Sequence, residues 1–237
     1  MLSTCILGGV VIGIIIGIGI SQLPFFKKIA GQEVQADVAL ANAADQRELP
    51  KGEIEIIHVS DADYRRGATS PKVTIVEYSD PECPFCKMFH ESLTKIIAEF
   101  PNDVQWVYRQ FPLDMHKKAH RESVAMECAG EIAGQNGFWK YLDRLMEITP
   151  ANDGLDPKEL YKIADFVKLD KARFAECLDS TKFDAKIVSH MEDAERNGGN
   201  GTPFSVIIAP DGKKYALSGY LDAKDLSRAI KSLLEKK

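Results

Sequence analysis

The chain has 237 residues, 45% hydrophobic and 27% charged, with 17 Gly and 11 Pro, a composition that excludes a disordered or low-complexity protein. Its 30 basic and 35 acidic residues leave a net charge of −5, without the concentrated positive face that phosphate backbones require, so no nucleic-acid partner is expected. Residues 2–26 carry no charge, and a run of about 20 apolar residues suffices to span a bilayer. Small-x-small cleavage patterns appear only later, at Ala39-Leu40-Ala41 and Ala41-Asn42-Ala43, so a retained single-pass anchor is expected rather than a cleaved signal. Lys27 and Lys28 follow the segment and would by themselves place the body in the cytoplasm, in conflict with the cysteine chemistry below.

Apolar density falls over residues 27–67, which read as a tether with one short strand at Glu53-Ile54-Glu55-Ile56-Ile57. The folded body is expected from 68 to 237. Val73-Thr74-Ile75-Val76-Glu77-Tyr78 is β-branched and aromatic and predicts a strand, and the apolar stripe over 84–100 predicts a helix ended by Pro101. Val104-Gln105-Trp106-Val107-Tyr108 predicts a second strand, parallel to the first. Helical patterning fills about 115–197, with breaks at 134–137 and 150–156 and an Asp156 N-cap followed by Pro157. Ser205-Val206-Ile207-Ile208-Ala209, a turn at Pro210-Asp211-Gly212-Lys213, a return strand over 214–218 and an amphipathic helix from Asp222 complete the chain. The fold class is α/β: β-α-β, an inserted all-helical subdomain, then β-β-α.

The chemistry lies in Cys83-Pro84-Phe85-Cys86. At a strand-to-helix junction the first cysteine meets the unpaired N–H groups and positive dipole end of the helix, which favour a thiolate. Cys83 is thus the expected nucleophile and Cys86, one turn inside, the resolving thiol that attacks a mixed disulfide and frees the partner. A zinc half-site would need two further ligands at suitable spacing, and no second C-x-x-C exists, so no metal is expected.

The stretch from Val73 to Cys86 resembles the active-site region of DsbA-like thiol:disulfide oxidoreductases of the thioredoxin fold. Gly137-Phe138-Trp139 with Leu142-Asp143 resembles the family's helical-insert motif, and Gly201-Thr202-Pro203-Phe204 its cis-proline loop. The resemblance implies catalytic roles for Cys83 and Cys86, and a cis Pro203 whose neighbour Thr202 pairs with an extended substrate, alongside Pro84 and Phe85. It implies a proton-transfer role for Glu77, six residues before Cys83, with Arg109 the one guess for a basic partner. It implies no dissociable cofactor, the redox-active Cys83–Cys86 disulfide serving instead. Phe85 stands where the strongest oxidases of the family carry histidine, and it cannot donate charge to a Cys83 thiolate.

Of the remaining cysteines, Cys128 and Cys177 fall in the helical insert, where a second disulfide would suit an oxidising compartment and two buried free thiols are the alternative. His116 and His120 share a helix face but lack a carboxylate on that stripe, and read as surface residues. The functional expectation is an extracytoplasmic, membrane-tethered oxidoreductase that oxidises thiols of unfolded secreted proteins and is reoxidised by a membrane redox partner. A reductase or isomerase on the same fold, or a non-catalytic peptide-binding module, are the alternatives.

Overall fold

The structure is a computed structural model describing residues 53–235. Its strands are β1 (Tyr64–Gly67), β2 (Val73–Ser79), β3 (Val104–Gln110), β4 (Phe204–Ile208) and β5 (Lys214–Ser218). They form one sheet in the order β1-β3-β2-β4-β5. Only β2 and β3 run parallel, and such a pair needs a crossover, supplied by α1 (Pro84–Glu99). The helices α2 (Ala119–Ile148), α3 (Glu159–Phe166), α4 (Lys171–Leu178) and α5 (Asp184–Arg196) lie between β3 and β4, and α6 (Ala223–Glu235) closes the chain. This is the thioredoxin-like α/β layout with an inserted helical subdomain.

Side chains alternate across the sheet, and both faces are covered. On one face Val73 and Ile75 of β2, with Val104, Trp106 and Tyr108 of β3, meet Phe89, Leu93 and Ile96 of α1 and Ile230 of α6. On the other, Val76, Tyr78, Val107 and Phe204 lie under Ala194 of α5 and under Ile54, Ile56 and Val59. Residues 53–63 contain no strand. The alternation over Glu53 to Ile57 instead turns Ile54 and Ile56 onto the sheet, while the Glu55 and Ile57 N–H groups donate to Asn197 Oδ1 (2.8 Å) and Asp193 Oδ1 (2.9 Å). One edge of the sheet is β1, inside the stretch read as tether; its burial is intermediate and its composition too polar to reveal it.

The helical subdomain is locked to the sheet through Tyr64, whose ring stacks on Phe138 at 3.7 Å. A Cβ at Gly130 would meet the Tyr64 hydroxyl at 2.0 Å, so only glycine lets α2 approach β1 this closely. The expected break in α2 occurs at Gly134, which sits at φ +65°. Helix α3 begins at Glu159 rather than at Pro157: Asp156 accepts the Lys158 N–H at 2.9 Å and forms the turn before the helix. Cys128 of α2 and Cys177 of α4 are joined in a disulfide. Strand β2, the helix over 84–99, β3 and the β4–β5 hairpin fall within a few residues of their sequence-derived positions.

The membrane anchorage expected at 2–26 falls outside the described residues. Among the described residues no helix is long and apolar enough to cross a membrane. The expectation of a membrane-tethered protein, with a redox partner reached through that tether, is corrected accordingly.

Candidate active site

Cys83 occupies the N-cap of α1 with extended backbone (φ −82°, ψ 122°), and Pro84 opens the helix. Proline costs nothing there, because the N–H it lacks would have no helical partner. Phe85 is 56% exposed, whereas Cys86 is fully buried against the core. Cys83 keeps 5% exposure, so it is the sulfur that an incoming thiol can reach. Both cysteines are free thiols in this structure.

The two sulfurs are electrostatically unlike. Hydrogen bonding from the Cys86 thiol lowers the Cys83 pKa to about 6, against the opposing effect of burial. The Thr202 side chain and the N–H groups of Cys86 and Phe85 add to this. Burial, the facing Cys83 and the Glu77 carboxyl drive Cys86 upward instead. The Thr202–Pro203 peptide is cis, and the Thr202 carbonyl oxygen lies 3.4 Å from Cys83 Sγ. Thr202 is half-buried and Pro203 buried, which places the loop before β4 directly beside the nucleophile.

Glu77 lies in the centre of β2 with no exposure, on the sheet face that carries α1. Burial lifts its pKa to about 8, partly offset by the nearby Ser79 side chain and by the indole N–H of Trp106, which donates at 2.8 Å. It thus holds a proton at neutral pH and can exchange it close to that range. Arg109 is not its partner. β2 and β3 pair Glu77 with Tyr108 and Tyr78 with Arg109, so the arginine emerges on the opposite face. There its guanidinium meets Asp63 (3.0 Å), Asp193 (2.9 Å) and the Tyr78 hydroxyl (3.0 Å) and pins residues 57–63 to the sheet.

Three acids around the turn escape a reading by motif. Asp80 accepts the Cys83 N–H on its backbone oxygen (3.1 Å), and its own N–H donates to Cys86 Sγ (3.4 Å). Its carboxylate accepts the N–H groups of Glu82 and Leu113, each at 2.7 Å, and holds His116 Nδ1 at 2.9 Å. Glu82, beside the nucleophile and fully buried, accepts the Asn152 N–H on its carbonyl (2.8 Å) and the Asp153 N–H on its carboxylate (2.7 Å). These bonds hold Ala151, Asn152 and Asp153 in a left-handed turn at φ 64°, 53° and 61°, a conformation that costs non-glycine residues roughly 1–2 kcal/mol each. Glu122 of α2 is raised to about 10, first by burial and then by the facing Glu82 carboxyl, so it holds its proton at neutral pH. Beyond the turn itself, Asp80 reaches Leu113 and His116, Glu82 reaches Asn152 and Asp153, and Glu122 comes from α2, contacts that local pattern does not show. His120 sits at the surface beside Asp184, 3.4 Å away.

Among the described residues no group of three or more His, Cys, Asp or Glu side chains is arranged to hold a metal ion. The redox centre is the cysteine pair itself.

The sequence profile of the family described as Thioredoxin matches residues 60–232. The crystal structure of DsbA2 from Pseudomonas aeruginosa is 32% identical, covers 71% of this chain and 92% of its own, and superposes with a TM-score of 0.63. The chain belongs to the DsbA-like thiol–disulfide oxidoreductases of the thioredoxin family. BdbD from Bacillus subtilis, at 21% identity and TM-score 0.65, shares the fold over 79% of this chain and all of its own. The catalytic domain of Proteus mirabilis ScsC does so at 21% identity and TM-score 0.62, over 85% of this chain and 98% of its own. A Na(+)/H(+) antiporter NhaA 1 of Salinispora arenicola is 32% identical over 174 residues, which are 73% of this chain and 25% of that protein. The chain spans about a quarter of the length of such curated relatives, so the match concerns a thioredoxin-type portion of them. Cys83 and Cys86 are the candidate redox pair of this DsbA-like chain.

Proposed function

We propose that this DsbA-like protein oxidises thiols of extended, incompletely folded polypeptides to disulfides. The observation that carries the reading is the inequality of the two sulfurs: Cys83 is lowered to about 6, Cys86 is raised, and the raised Cys86 is electrostatically coupled to a Glu77 that titrates near 8. A stabilised Cys83 thiolate favours the reduced form of the couple and makes the disulfide form an oxidant.

In the oxidised protein, a substrate thiolate attacks Cys83 Sγ and the Cys83–Cys86 bond breaks. Cys86 leaves as a thiolate and takes a proton relayed by Glu77. A second substrate thiolate then attacks the substrate sulfur of the mixed disulfide, releasing Cys83 as the thiolate. Two electrons pass from the substrate to the protein, one substrate proton ends on Cys86 and the other goes to solvent. A disulfide-donating partner must then reoxidise the dithiol. The exposed Phe85 and the Thr202 carbonyl 3.4 Å from Cys83 Sγ support docking of an extended segment beside the nucleophile. The Cys128–Cys177 bridge fits an oxidising compartment.

Phe85 favours a second reading, because it cannot stabilise the thiolate by charge: a weaker oxidant working as a reductase or isomerase. Oxidative refolding of a reduced, unfolded disulfide protein with stoichiometric oxidised enzyme separates the readings. Disulfide transfer that disappears in Cys83→Ser supports the oxidase, and inert enzyme that instead reduces insulin disulfides in the presence of dithiothreitol overturns it.

A further inference from the structure

Phe85 leaves the Cys83 thiolate without a charged neighbour between the two cysteines, yet a histidine is buried close by against Asp80. His116, in the segment between β3 and α2, has a side chain only 6% exposed, and its Nδ1 lies 2.9 Å from Asp80 Oδ2. Asp80 is fixed to both cysteines, to Cys83 N–H through its carbonyl (3.1 Å) and to Cys86 Sγ through its own N–H (3.4 Å). The Leu113 N–H on the same carboxylate (2.7 Å) fixes the segment that carries the imidazole. The ring is therefore tied to the redox turn by one side-chain contact and a rigid backbone.

We propose that His116, oriented by Asp80, is the positive charge that stabilises the Cys83 thiolate in place of a basic residue between the cysteines. His116 is thus a positioning residue for the exchange reaction, acting on Cys83 through space. This inference rests on the assignment of Cys83 as the exchanging sulfur.

The electrostatic surroundings are consistent with it. Burial pulls the His116 pKa down, but Asp80, Cys83 and Asp153 more than offset this and hold it above the usual histidine value. The charged groups facing the ring come from three places: Asp80 before α1, Cys83 at the start of α1, and Asp153 in the left-handed turn before α3. Lys117, Lys118 and Asp114 belong to its own segment, with Lys117 and Lys118 bonded to Asp114 and Asp153. Because Asp80 is bonded to His116, glutamine at 116 retains a donor for that carboxylate and removes only the charge.

The test is a pH titration of Cys83 in the full chain, by alkylation rate of the reduced protein, for the wild type, His116→Gln and His116→Lys. Removing the charge is expected to raise the Cys83 pKa by about one pH unit. That is up to tenfold in the thiol–disulfide equilibrium, or about 30 mV towards a more reducing couple. The difference from wild type should close at alkaline pH, where the wild-type imidazole has lost its proton, and His116→Lys should keep Cys83 low through that range. A Cys83 pKa unchanged in folded His116→Gln, or a difference that persists at alkaline pH, overturns the proposal. Wild-type protein that exchanges no disulfides at all would instead sink the functional reading, whatever the variants do.

Discussion

The indole N–H of Trp106 reaches the Glu77 carboxyl across 2.8 Å of buried protein, on the sheet face beneath α1. That bond favours the ionised acid, burial favours the neutral one, and burial wins by enough to place Glu77 near pH 8. The fully buried Cys86 thiol therefore has a proton-exchanging group acting on it from within the core.

Glu77→Gln should slow disulfide transfer by about 10²-fold, the lower end of what general acid–base groups supply. The same variant should lose a break in the pH–rate profile near pH 8, measured by stopped-flow oxidation of a dithiol peptide. Stability gives an independent check. The folded state keeps the Glu77 proton up to about pH 8, while the unfolded chain releases it near the ordinary carboxyl value of 4.5, so wild-type stability falls as pH rises between those values. Glu77→Gln should abolish that decline, a relative gain on the order of a few kcal/mol by pH 8 in urea unfolding.

Glu122→Gln should stabilise the protein at neutral pH. The folded state holds the Glu122 proton until about pH 10, whereas the unfolded chain loses it near 4.5, so this group costs stability increasingly over that window. Glutamine keeps a donor for Glu82 and removes the titration. Its unfolding midpoint should rise relative to wild type as pH increases from 5 to 9, and a parallel decline in both proteins would refute a Glu122 held protonated in the fold.

Cys86→Ser should trap the mixed disulfide. With the resolving thiol gone, a substrate cysteine joined to Cys83 cannot be released by internal attack. Non-reducing gels followed by peptide mass spectrometry should show a covalent adduct at Cys83 in this variant and none in Cys83→Ser.

Removing the Cys128–Cys177 bridge, as the Cys128→Ala, Cys177→Ala double variant, should lower stability by about 4 kcal/mol, the loop-closure value for a separation of 49 residues. The bridge joins α2 to α4 and lies apart from the redox turn, so the Cys83–Cys86 potential should be unchanged.

What was legible in the sequence follows from how local each signal is. The strand-C-x-x-C-helix order and the Pro84 helix start are adjacent in the chain, so both the site and the β-α-β unit could be read directly. The partner of Glu77 could not, because it depends on strand register: Arg109 is one residue along from Tyr108, and that single step puts it on the other face of the sheet. Asp80, Glu82, Glu122 and His116 act through contacts between segments that only the fold brings together. β1 escaped notice because a short edge strand, half-buried beside Gly130 and Phe138, needs little apolar patterning of its own.

The reduction potential of the Cys83–Cys86 couple, equilibrated in glutathione buffers and read by alkylation and mass spectrometry, tests the account most directly. A Cys83 thiolate stabilised at about pH 6 predicts an oxidising couple. With Phe85 in place of histidine, its potential should lie between about −120 mV, the value of a strong dithiol oxidant, and about −200 mV. A value near about −270 mV, that of thioredoxin, would mean that the protein gives electrons to its substrates, and would contradict the oxidase reading.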